Sequence, residues 1–363
     1  MRKYYIITVL ICLVSLSAVS QQKLKTQNII LVTLDGFRWQ EVFNGADSAF
    51  MRQQETLKDP KVKEKYWRDA LTERRKALLP FFWNTIATQG QLYGNRNLGS
   101  KVNVTNNQLF SYPGYNEILT GSADNERINS NDKIYNPNVN VLEFINRQPS
   151  FKGKVAAFSS WDVFPYIIND KRSGVFVSTG VVEVNGPALN DRERMMNQLI
   201  LSLPNPLGDV RLDAFTFYYG MEYLKKEKPK VMYFAFDETD DFAHDGEYAA
   251  YLNSAHYTDR FISELWSYLQ SDPQYRNKTT LIITSDHGRG DTEITWKDHG
   301  QKVPVADQLW FAFLGPDTPA LGEVKDAGQL YQNQIASTLA NLLGIEFKTD
   351  KKVGNVISSV TKK

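Results

Sequence analysis

Ile29–Gly36 (IILVTLDG), Val231–His244 (VMYFAFDETDDFAH) and Leu281–His287 (LIITSDH) each set metal-ligand residue types at the end of an apolar run. Short continuous runs rich in β-branched or aromatic residues suit strands buried on both faces. Lys154–Phe158 (KVAAF), Thr279–Thr284 and Leu309–Leu314 (LWFAFL) read the same way. Helical patterns lie between them, at Pro80–Ala87, Asp213–Lys225, Tyr248–Leu269 and Gln332–Leu343. Strands alternating with helices predict an α/β fold, a mostly parallel central sheet with helices on both faces. Ligands of such sheets bind beyond the carboxyl ends of the strands. Asp35, Asp286 and His287 fall there, and Asp240 and His244 follow a few residues after their strand.

The chain has four histidines, and three of them, His244, His287 and His299 (in WKDHG, Trp296–Gly300), sit in these stretches. Converging Asp and His make an oxygen/nitrogen site for divalent metals. Asp240 and His244 are four apart, so one helical turn places them on one face. The competing readings are ordinary ones. Asp35-Gly36 alone is a strand-ending turn, and Asp237, Glu238, Asp241 and Asp245 alone are a solvated acidic loop. A calcium-loop reading fails because the glycine at its sixth position is missing. His256, in mid-helix, reads as structural. Ser111 precedes Tyr112-Pro113-Gly114 at the start of a helical stretch, where the dipole favours an oxyanion nucleophile; a plain N-cap serine is the alternative.

The chain has 363 residues, a formal charge of +1, 42% apolar and 23% charged residues. No basic stripe argues for nucleic acid, and the basic cluster at Lys61–Arg75, interleaved with acids, reads as a solvated helix. Arg2 and Lys3 precede an apolar run from Tyr4 to Val19 that ends in small residues at Ala18 and Ser20. This is the pattern of a signal peptide over residues 1–20, with cleavage expected before Gln21. The run is about 16 residues, short of the ~20 that a membrane span needs. The one cysteine, Cys12, lies inside it behind Ile11, a poor lipoprotein site, so the mature chain is expected to carry no cysteine, no disulfide and no stable membrane anchor. An exported protein, periplasmic or secreted, follows. Residues 21–363 read as one catalytic domain, with a polar, largely helical insertion around 46–78.

The segments LVTLDGFRW, FSYPGYNEILTG, the Asp240-to-His244 spacing, TSDHGRG and KDHG, in this order from Asp35 to Gly300, resemble the alkaline phosphatase superfamily. Within it, the chain is most similar to the type I phosphodiesterase/nucleotide pyrophosphatase branch. The resemblance implies an alkaline-phosphatase-like fold and two divalent metal ions, with zinc expected because the ligands include imidazole and no thiolate, and manganese as the alternative. It implies that Asp240, His244 and His299 hold one ion, and that Asp35, Asp286 and His287 hold the other with Ser111 beside it. Ser111 would be the metal-activated nucleophile passing through a phosphoseryl intermediate. Asn131 resembles the family's donor to a phosphoryl oxygen. The expected partner is a small phosphate ester, not a nucleic-acid polymer.

The chain departs from its relatives in places. Phosphodiesterases of this branch more often carry threonine as nucleophile and Asn-His after the proline; here stand Ser111 and Gly114-Tyr115. Tyr115 replaces the arginine of the sulfatase maturation motif, which disfavours a sulfatase. Monoesterases add cations for the third phosphoryl oxygen, and Arg127, Lys133, Lys171 and Arg172 are candidates. Trp161, Tyr166 and Tyr112 wall a leaving-group pocket or pack in the core. A phosphomonoesterase, a phosphoglycerate-mutase-like enzyme and a lapsed binding protein of the same fold are the alternatives to a phosphodiesterase.

Overall fold

The computed structural model describes residues 24–52, 59, 61–185 and 188–361. The predicted signal peptide and Cys12 lie outside the described residues. No helix among those described is long and apolar enough to cross a membrane.

Among the described residues, eleven short strands form two sheets. They are β1 (Asn28–Leu34), β2 (Gln91–Tyr93), β3 (Ser100–Asn103), β4 (Val155–Ser159), β5 (Phe176–Thr179), β6 (Val231–Phe236), β7 (Thr279–Thr284), β8 (Gln308–Leu309), β9 (Phe311–Leu314), β10 (Gly322–Glu323) and β11 (Gly328–Tyr331). The main sheet has the order β10-β2-β9-β7-β1-β6-β4-β5, and a small one the order β11-β3-β8. From β7 to β5 all neighbours are parallel, while β9 runs antiparallel to both β7 and β2.

The central strands are buried throughout and largely apolar because each face meets its own layer of helices. In β1, Ile30, Val32 and Leu34 join one core with Phe217, Tyr251, Leu252 and Phe261; Ile29 and Leu31 join the other with Ile118, Leu119, Ile335 and Leu339. Burying each such aliphatic side chain stabilises the fold by about 1.5–3 kcal/mol. The segment around 46–78 carries helices Ser48–Arg52, Lys61–Tyr66 and Leu71–Leu78. Phe50, Met51, Val62, Tyr66 and Leu78 drop from them into the first core.

Two expectations need correction. Leu309–Leu314 is not one strand: β8 pairs with β3 in the small sheet, and β9 with β7 in the main one. Trp310 sits between them, fully buried, its indole N–H donating to the Phe37 carbonyl at 2.8 Å. The basic stretch at Lys61–Arg75 is two helices, not one, with the break at residues 67–70.

Register decides where the site lies. Leu34 pairs with Phe236 on one side, and Thr33 with Thr284 on the other. Continued one and two residues, that pairing brings Asp35 level with both Asp237 and Asp286. The chain leaving β1 is held by a buried ion pair between Arg38 and Glu41. Arg38 Nη1 also donates to the Gly290 carbonyl at 3.0 Å, and Tyr248 Oη donates to Glu41 at 3.0 Å. Removing one partner of such a pair strands the other charge. Glu41→Ala is therefore expected to lower unfolding free energy by about 3–5 kcal/mol in urea denaturation. A loss below about 1 kcal/mol would show that the Arg38 guanidinium finds water or another acceptor.

Candidate metal centre

Three strand ends and one helix build the site. Asp35 follows β1, and Asp286 and His287 follow β7. Asp240 and His244 ride the helix Glu238–His244 that begins after β6. Gly36 turns the chain at φ +57°, and an added Cβ would stand 2.6 Å from Asp240 Oδ1 and 2.8 Å from Arg289 Nη1. The turn after β7 is fixed from below, where Gln332 donates to the carbonyls of Ser285 (3.0 Å) and Asp286 (2.6 Å).

Asp35 and Asp286 are both buried, and each has one oxygen tied and one free. Tyr115 Oη donates to Asp35 Oδ2 at 2.7 Å, and the Gly36 N–H to Asp286 Oδ1 at 3.1 Å. Among the described residues, Asp35 Oδ1 and Asp286 Oδ2 have no hydrogen-bond partner. They lie 3.1 and 3.5 Å from His287 Nε2. That nitrogen carries no proton to offer them. His287 Nδ1 is 2.9 Å from the Gly288 carbonyl, which can only accept, so the proton is on Nδ1. Burial pushes the imidazole down to about 4. Three acceptor atoms thus face one another with no N–H among them. Burial also drives the Asp35 carboxyl up to about 7, with Asp240 adding to it, and drives Asp286 well above the ordinary range. A divalent cation among these atoms would oppose both shifts by favouring the ionised carboxylates. The donor set therefore fits such an ion.

A second group adjoins the first. His244 Nε2 is 3.2 Å from Asp240 Oδ2 and 2.9 Å from His299 Nε2, which lies 3.8 Å from Asp240 Oδ1. The ligand atoms of Asp240, His287 and His299 lie within 4.8 Å of one another, as do those of Asp35, Asp286 and His287, so His287 stands between the two sets. His299 Nδ1 donates to the Leu109 carbonyl at 3.2 Å, which turns its Nε2 inward, and burial holds this imidazole down at about 3. Burial would raise Asp240, but the Arg289 guanidinium against it holds it well below the carboxylate range. His244, 43% exposed, opens this side to solvent.

Ser111 is the first residue of the helix Ser111–Thr120, and the cap position belongs to Phe110, whose side chain makes no capping bond. Ser111 is thus not a plain N-cap; its Oγ lies 3.5 Å from His287 Nε2. The Tyr112 N–H donates to Asn131 Oδ1 at 3.0 Å, which leaves the Asn131 NH2 as a donor at the same helix end. Gly114 is required by contact, because a Cβ there would fall on the Asp286 carbonyl. Glu117, fully buried, accepts from the N–H groups of Thr105 (2.7 Å) and Asn106 (2.8 Å), so it anchors the loop leading to Ser111. Asn106 Oδ1 then accepts from the Leu109 N–H at 3.0 Å, and Leu109 adopts φ +58°.

The structure thus brings together Asp35, Ser111, Asn131, Asp240, His244, Asp286, His287 and His299. His256 stands apart, its Nδ1 2.8 Å from the Leu78 carbonyl. The four candidate cations are already engaged. Arg172 grips Glu143 and the carbonyls of residues 136–138, Arg127 grips Asp124 and Asn138, Lys133 grips Asp162, and Lys171 lies over the Tyr135 ring. Tyr112 is core, with its hydroxyl on the Ile134 carbonyl at 2.6 Å. Sequence reasoning missed Tyr115 as the partner of Asp35 and Arg289 as the partner of Asp240. Both lie inside motifs read for their other residues.

Comparison with known proteins places the family and the fold. The model of the type I phosphodiesterase/nucleotide pyrophosphatase family matches residues 45–336. No curated protein sequence matches. Among solved structures, murine ectonucleotide pyrophosphatase/phosphodiesterase 5 is 14% identical, with 93% of this chain and 100% of that one covered at a TM-score of 0.54. The alkaline phosphatase PafA is 11% identical over 94% and 99% of the two chains, TM-score 0.57. A putative sulfatase from Bacteroides thetaiotaomicron is 12% identical over 93% and 75%, TM-score 0.56. At these identities the structures establish the alkaline-phosphatase-like fold.

Gly114→Ala is expected to lift the Ser111–Thr120 helix off Asp286 and to destabilise the protein by about 1–3 kcal/mol, read from chemical denaturation. Unchanged stability would mean that the helix and the β7 end tolerate separation.

Proposed function

Because the chain belongs to the type I phosphodiesterase/nucleotide pyrophosphatase family, we propose that it hydrolyses phosphoric diesters with Ser111 as nucleophile and two divalent cations, zinc first, as cofactors. The observation that carries the proposal is the pair of partnerless oxygens, Asp35 Oδ1 and Asp286 Oδ2, facing the unprotonated His287 Nε2 beside the Ser111 hydroxyl. Asp35, Asp286 and His287 would hold one ion; Asp240, His244 and His299 would hold the other. When bound, such ions offset the carboxylate charge, favour the serine alkoxide and stabilise charge on the phosphoryl oxygens.

Ser111 Oγ forms a bond to phosphorus as the bond to the leaving alcohol breaks. Its proton goes to solvent, and the alkoxide released takes one back. Water then cleaves the phosphoseryl ester and regenerates the serine. Asn131 donates through its NH2 to a phosphoryl oxygen, held in place by the Tyr112 N–H on its carbonyl. Tyr115, at the position of the sulfatase arginine, holds Asp35 instead.

Substrate charge is the finer point. A monoester exposes a third oxygen that needs a donor beyond the cations. Arg127, Lys133, Lys171 and Arg172 are each spoken for. This supports a diester preference over the phosphomonoesterase reading. The substrate is a small ester, and the N-terminal segment supports export; N-terminal sequencing of the recovered protein should begin at Gln21, and an intact Met1 would refute cleavage.

Ser111→Ala is expected to abolish hydrolysis of a bis-aryl phosphate while keeping the metal content found by elemental analysis. Retained turnover would remove Ser111 from the chemistry. Asn131→Asp keeps the acceptor for Tyr112 but turns the donor into a carboxylate, and kcat is expected to fall about 100-fold or more. Against the aryl monophosphate with the same leaving group, kcat/KM should favour the diester. A monoester preference of tenfold, about 1.4 kcal/mol, would overturn that choice.

A further inference from the structure

Arg289 is a permanent positive charge built into the cluster. Its side chain is fully buried. Nε donates to the Trp296 carbonyl at 3.0 Å, Nη2 to the Lys297 carbonyl, and Nη1 pairs with Asp240 Oδ1. The absent Cβ of Gly36 leaves room for this pair. Asp240 Oδ1 is the oxygen that faces His287 Nε2 (3.7 Å) and His299 Nε2 (3.8 Å). Only Oδ2, 3.2 Å from His244 Nε2, is clear of the guanidinium. The other set is built differently, since Asp35 and Asp286 are tied by neutral donors, a phenol and a backbone N–H. A guanidinium does not deprotonate in proteins. Being fully buried itself, it repels a divalent ion at short range with little screening on its own side.

We infer that Arg289 makes the two cation sites unequal. It occupies one oxygen of Asp240 and adds a fixed like charge, so the Asp240/His244/His299 site binds a divalent cation more weakly than the Asp35/Asp286/His287 site. The site beside Ser111 fills first and stays filled. The solvent-facing site fills last and exchanges faster. The inference rests on the two-ion reading proposed above, and concerns affinity, not turnover.

The test is stepwise Zn2+ binding to metal-stripped full-length protein, followed by equilibrium dialysis with a competing chelator. Wild type is expected to bind two Zn2+ with dissociation constants at least tenfold apart, and His244→Ala to lose only the weaker event. Arg289→Gln keeps a donor without the charge and should tighten the weaker event at least tenfold. Arg289→Lys keeps the charge and should preserve the wild-type spacing. Two equal affinities in wild type, which need no variant to observe, would overturn the inference. So would equal weakening in both variants, which would make Arg289 a scaffold for the turn carrying His299. Wild type that binds no Zn2+ would instead remove the two-ion reading itself.

Discussion

The rest of the site depends on one electrostatic constraint. Two carboxylates are buried side by side, each with one oxygen satisfied and the other left facing a ring nitrogen that bears only a lone pair. An unpaired buried anion is among the costliest groups a protein can hold. The arrangement persists because β7, β1 and β6 are fixed by ladder hydrogen bonds and by apolar layers on both faces. The strands are parallel, so their carboxyl ends arrive together, and the register brings Asp35 level with Asp286. Neither acid can turn away, because Tyr115 and the Gly36 N–H hold the oxygens that would have to swing.

The two sides of the cluster differ in how they meet solvent. Asp35, Asp286 and His287 are sealed under the Ser111–Thr120 helix, which Gly114 allows to rest on the Asp286 backbone. His244 lies at the rim, on a seven-residue helix. Burial lowers the basicity of His287 and His299, while Asp240 beside His244 raises that ring against the pull of burial. Neutral imidazoles inside and a protonatable one at the edge form a gradient from dry to wet across one small cluster.

Much of this was legible in the sequence. The apolar runs ending in Asp or His gave away the parallel strands, since only doubly buried strands can be apolar at every position. The four-residue spacing of Asp240 and His244 became one helical turn. Other features left no local signal. Leu309–Leu314 is uniformly apolar, yet the chain changes sheets at Trp310, because the indole N–H must reach the Phe37 carbonyl, 273 residues away in sequence. The pairing of Tyr115 with Asp35 spans 80 residues and that of Arg289 with Asp240 spans 49. Periodicity reports which face a residue takes, and says nothing of which distant group its polar tip will meet. The candidate cations show the same limit: the sequence does not reveal that Arg172 clamps Glu143 and the backbone of residues 136–138.

Leu109 joins two parts of the centre that otherwise share no covalent neighbour. Its left-handed backbone costs a non-glycine residue ~1–2 kcal/mol, and that conformation turns its carbonyl to His299 while the chain runs on, two residues later, into Ser111. The serine and the imidazole are therefore coupled through a single peptide plane. Rotating that plane changes the direction of the hydroxyl and the tilt of the ring at once. Hydroxyl position and ring orientation thus form one mechanical coordinate, stored in the backbone instead of in side-chain rotamers. The alignment is insensitive to repacking of the outer wall and sensitive to any change that lets residue 109 relax.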